Sequence, residues 1–84
     1  MLPRKPVHVN LIAELRSLKR ASNYHDVLCE IALFEPDVIH RSIRANAAGT
    51  KVIYTDHEGN DTTCWARDWT TNIPYVISML ERKP

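Results

Sequence analysis

Apolar residues recur along the chain with two different periods, and the change from one to the other divides it. From Asn10, a candidate N-cap, Leu11, Ile12, Leu15 and Leu18 fall at helical spacing while Glu14, Arg16, Lys19 and Arg20 fill the opposite side, which predicts an amphipathic helix. Asn23, three residues before Asp26, makes an imperfect capping box and opens a second apolar series through Val27, Leu28, Ile31 and Ala32 up to Phe34. Glu35-Pro36-Asp37 ends that series, because proline lacks an N–H and disfavours helical geometry in the residue before it. Pro36 also suits the first turn of a new helix. The pattern places this third helix from about Pro36 to Ala48, with Val38, Ile39 and Ile43 inward, Asp37 at the positive end of its dipole and Gly49 in the C′ position. His40, Arg41 and Arg44 would share its outer side.

After Gly49 the period falls to 2. Lys51–Thr55 and Thr62–Ala66 are β-branched and aromatic runs on either side of Asp56-His57-Glu58-Gly59-Asn60-Asp61, which predicts a hairpin whose loop, of two or three residues, uses Gly59 in the left-handed conformation. Ile73, Val76, Ile77 and Leu80 then form a last helical stripe, entered through Thr71 or Asn72 with Pro74 in its first turn and closed by Arg82 and Lys83. Before the first helix, residues 1–6 read as an extended arm and Val7-His8-Val9 as a short edge strand. The expected architecture is a single α+β domain over residues 1–84 in the order (β)-α-α-α-β-β-α, helices packed with a β-hairpin. Leu15, Ile31, Ile43, Val52 and Leu80 are expected in one core. Trp65 is expected to face the helices, and Trp69, beyond the strand, to lie at the surface.

Composition narrows the function more than it names one. With 84 residues, 44 % hydrophobic and 25 % charged, the chain supports one modest core and leaves no room for a deep cavity around a large cofactor. Eleven basic against ten acidic residues give a net charge of +1, so no global field draws the molecule to nucleic acid or an acidic membrane. No apolar run approaches the ~18 to 20 residues of a membrane helix, and the N-terminal residues carry no apolar signal core, so a cytoplasmic location without membrane contact is expected. Cys29 and Cys64 are far apart and make no CxxC pair; both read as reduced thiols. His25 and Cys29, four apart beside Glu30, have the spacing of a nucleophile pair, but no third group is fixed near them and the apolar neighbourhood makes Cys29 a core thiol. Nucleotide-loop, zincin, hydrolase-elbow and repeat signatures are missing, so no catalytic, metal or cofactor residue is expected.

Two binding readings follow. Three helices and then a hairpin is an order that loosely resembles a winged helix-turn-helix, and that resemblance implies a transcription regulator whose third helix offers His40, Arg41 and Arg44 to DNA. The hairpin tip opposes it, since Asp56, Glu58 and Asp61 would meet the phosphate backbone. The preferred expectation is a small non-enzymatic inhibitor or adaptor, of the kind that phages and other mobile elements make, occupying the surface of a larger protein. Asp56, Glu58 and Asp61 would steer the encounter and Trp69 would anchor the complex. A homodimer through the edge strand or the last helix is a further expectation.

Overall fold

A computed structural model describes residues 8–82. The apolar stripes near both ends become helices: α1 spans Val9–Ser17, α2 Asn23–Leu33 and α3 Ile73–Arg82. α3 is set up as its sequence predicts: the Asn72 side chain accepts the Tyr75 amide, Pro74 sits in the first turn, and Val76, Ile77 and Leu80 are buried. The other two helices begin earlier than expected. The cap of α2 is Ser22, whose Oγ accepts from the His25 amide; Asn23 lies inside the first turn and donates to the Thr50 carbonyl at 2.8 Å. α1 starts at Val9 with His8 in the cap position, so Asn10 is helical. His8 and Val9 are therefore turn and helix, where an edge strand was expected; Val7 and the arm 1–6 lie outside the described residues.

The segment expected to be the third helix is a strand. β1, His40–Ala45, β2, Val52–Asp56, and β3, Asp61–Cys64, form an antiparallel meander in the order β1-β2-β3. The helical pattern over 36–48 leaned on Val38 and Ile39, yet both side chains are exposed in the turn before β1, 93 % and 61 %. Asp37 makes that turn: its Oδ1 accepts the amides of Ile39 at 2.8 Å and His40 at 2.7 Å, and its own N–H donates to the His40 carbonyl. From His40 onward the backbone pairs with β2, with Ile43 opposite Tyr54 and a bulge between His40 and Ser42. Gly49 does adopt the left-handed conformation, φ 70°, but it closes the β1–β2 connection, where Asn46 Oδ1 accepts the amides of Thr50 and Lys51. Among the described residues the order is two helices, a three-stranded sheet, a short 3-10 turn and a last helix, so the winged-helix resemblance is not confirmed.

The predicted hairpin is present as β2 and β3. Asp56 and Asn60 close it through a backbone bond of 2.9 Å, leaving a three-residue loop with Gly59 at φ 90°. This loop length puts Thr55 opposite Asp61 and Val52 opposite Cys64.

α2 lies between the layers, packed on α1 and α3 and also against β1 and β2. Ile12, Leu15, Cys29, Val76, Ile77 and Leu80 form the core shared by the helices, and Val27 and Val52 are buried as well. Of the five residues expected in one core, Leu15, Val52 and Leu80 are buried, while Ile31 and Ile43 are only half-buried. Trp65 does not face the helices. It is 65 % exposed just past the end of β3, with the Lys51 ammonium 4.6 Å from its ring centre.

Candidate functional site

Two carboxylates on the inner side of α2 organise the centre of the molecule. Asp26 and Glu30 are one helical turn apart, and both are buried, a position that needs hydrogen bonds to offset lost hydration. The segment leading into α3 supplies them. The Thr70 amide and hydroxyl both donate to Asp26 Oδ1 at 2.7 Å, and Thr70 Oγ1 in turn accepts the Ser22 amide at 2.8 Å. Glu30 Oε1 accepts the Arg67 amide at 3.1 Å and the Trp69 indole N–H at 2.9 Å, while Oε2 accepts the Tyr54 hydroxyl at 3.0 Å. Among the described residues no buried side-chain nitrogen or oxygen is left without a partner. Burial, and after it the Glu30 carboxylate, push the Tyr54 phenol up to about 12. Sequence reasoning missed both carboxylates. The available signal was two acids at i and i+4 within the apolar series of α2, a spacing that a solvated face would not share with Val27 and Ile31.

Beside this latch opens a cleft of about 330 Å³. Phe34, His40, Tyr54 and Trp69 give it aromatic walls: the Tyr54 ring lies 4.8 Å from His40 and 6.1 Å, edge-on, from Phe34. Glu30 contributes a buried carboxylate, and Glu35, Asp37 and Arg67 also line the opening. Trp69, expected at the surface, is half-buried here and packs against the helical core. Asp37 is held below the usual carboxylate range, first by the His40 amide and then by that of Ile39.

Of the charged residues singled out from the sequence, His40, Arg41, Arg44, Asp56 and Asp61 lie on the strands and Glu58 in the β2–β3 loop. Arg44 and Asp61, assigned to competing readings, form an ion pair of 2.8 Å; Arg44 also donates to Thr55 Oγ1, and Thr55 donates to the second Asp61 oxygen at 2.7 Å. Arg44 first, then Thr55, holds Asp61 below its ordinary value, with a further contribution from nearby Arg41. Asp56 serves its own turn, since Oδ1 accepts the amides of Asn60 and Glu58; those bonds, Asn60 first, lower its pKa. Glu58 projects from the loop, exposed. Next to it lie Val38 and Ile39, which line a shallow hollow with Asp56, His57 and Glu58. His57 Nε2 joins the two loops through the Asp37 carbonyl at 2.7 Å.

His25 bonds Ser22 and Glu14, while Cys29 is packed in the core. The His25 ring meets Ser22 Oγ at Nδ1, 2.8 Å, and Glu14 at Nε2, 3.1 Å, tying α1 to the start of α2. Cys29 is enclosed in the core, and burial pushes its thiol up to about 12. Among the described residues no group of three or more His, Cys, Asp or Glu could hold a metal ion, and no helix is long and apolar enough to cross a membrane. Neither a family model, a curated protein nor a solved structure matches the chain.

Proposed function

We propose that the protein acts by stoichiometric contact with a larger protein, through the end of the sheet where the β2–β3 loop meets the turn before β1. The exposure of Val38 and Ile39 beside Glu58 carries this reading, because adjacent large aliphatic side chains held out by a bonded turn make a preformed apolar contact. The surface differs from the one expected on sequence alone. Val38 and Ile39 replace Trp69 as the anchors, Glu58 steers a basic rim on the partner, and Asp56 and Asp61 hold the hairpin in shape. A DNA-contacting role for His40, Arg41 and Arg44 receives little support, since these residues lie on a strand and Arg44 is matched to Asp61.

Affinity capture from the native cell extract tests the reading, with nuclease present, using the wild-type chain and a Val38→Asp/Ile39→Asp double variant. A stoichiometric protein partner retained by the wild type and lost by a variant of unchanged thermal midpoint is the expected result. Capture that survives the double substitution, or that disappears with nuclease, overturns the proposal.

A further inference from the structure

The aromatic cleft on the other side of the 35–40 segment has a chemistry of its own. Its walls are ring faces and edges, and its acidic groups outnumber its single full cation, Glu30, Glu35 and Asp37 against Arg67. Acidic groups alone would not specify a ligand. The Arg67 guanidinium stands 5.9 Å from the centre of the Trp69 ring, so the chain already sets one cation over this wall. The Arg67 backbone is fixed by its amide bond to Glu30, while its guanidinium meets the Trp69 ring. A guanidinium is apolar on its faces and donates hydrogen bonds only at its edge, which matches aromatic walls with carboxylates at the opening.

We propose that the cleft is a receptor for an arginine side chain of the partner protein, which displaces Arg67 from Trp69 and directs its edge to Glu35 and Asp37. The source of the arginine rests on the protein-binding reading above; the cleft's preference for a guanidinium does not. Arg67 is thus an internal competitor, and its removal strengthens binding.

An NMR titration of the full chain with N-acetyl-arginine amide at low salt tests this, with N-acetyl-citrulline amide as the neutral isostere. The expected result is a saturable shift of the Trp69 indole N–H and of the Glu35 and His40 amides with the arginine probe alone. Glu35→Gln should weaken binding, and Arg67→Ala should tighten it by about threefold, from loss of a competing cation near an aromatic face. Shifts that do not saturate, equal shifts with the citrulline probe, or unchanged or weaker binding in Arg67→Ala overturn the proposal. A neutral Val38→Ser/Ile39→Ser variant, which adds no charge beside Asp37, should bind the probe as the wild type does, so failure of the capture experiment and failure of the cleft are read separately.

Discussion

The centre of the molecule and the end of its sheet use carboxylates in opposite ways. At the α2–α3 junction, Asp26 and Glu30 are buried and bound by amides, hydroxyls and an indole. At the sheet end, Asp37 and Asp56 each hold a local turn through Oδ1 and Asp61 pairs with Arg44, all within reach of water. A buried acceptor that loses a donor is left without hydration, whereas an exposed one exchanges its partner for water. The junction therefore bears on whether the chain folds, and the sheet end on which side chains its loops hold out.

The largest effect belongs to the helical core. Leu15→Ala or Leu80→Ala should cost about 2 to 5 kcal/mol, while Ile43→Ala on the half-buried strand should cost clearly less; urea denaturation ranks them, and equal losses would erase the contrast between the layers. Next comes the latch. Thr70→Val keeps the side-chain shape but removes a donor from Asp26 and an acceptor from Ser22, so we expect about 1 to 3 kcal/mol. Arg44→Ala at the sheet ion pair should barely move the same midpoint, and any shift should shrink with added salt.

The pH dependences separate the regions further. Tyr54 and Cys29 both have folded-state pKa values raised to about 12, from ordinary values of 10.0 and 9.0. The unfolded chain releases those protons first, so the stability they lend is complete below about pH 9 and falls as pH rises towards 12. Cys29→Ala should flatten part of that alkaline decline, and a thiol reagent at neutral pH should react with Cys64 well before Cys29.

The smallest effect lies at the acid side. Asp37, Asp56 and Asp61 are depressed in the fold, so their support is present above their ordinary range and is lost as pH falls through the lowered values. Below about pH 4, amide exchange should rise in the 37–40 turn and the 56–60 loop before it rises at Thr70.

Periodicity revealed those parts of the fold whose neighbours in space are also close in sequence. α3, the hairpin and the left-handed Gly59 follow from residues within a few positions of each other, whereas the pattern puts Gly49 at the end of a helix that is not there. β1 did not, because HRSIRA contains a single large apolar residue and becomes a strand by pairing with β2. Trp65 and Trp69 were exchanged for a related reason: which tryptophan is enclosed depends on Glu30, more than thirty residues away. The acidic hairpin tip was legible as a charged loop, but the match between Arg44 and Asp61 required the register, and the apolar pair beside Glu58 required β1 to be a strand.

The latch also defines a loop. Bonds from Glu30 to Arg67 and Trp69 join positions 37 and 39 residues apart, so everything between α2 and the 3-10 turn at Trp69–Thr71 is a closed excursion anchored at its base. The entropy of closing a flexible chain grows only with the logarithm of its length, about 0.6 kcal/mol for each doubling. Extra residues in the β2–β3 loop would add little to that closure term, and the core contacts among the three helices would keep their geometry. The fold can thus carry contact surfaces of different length and chemistry on an unchanged base, which makes the loop tip a natural place to graft a new recognition sequence.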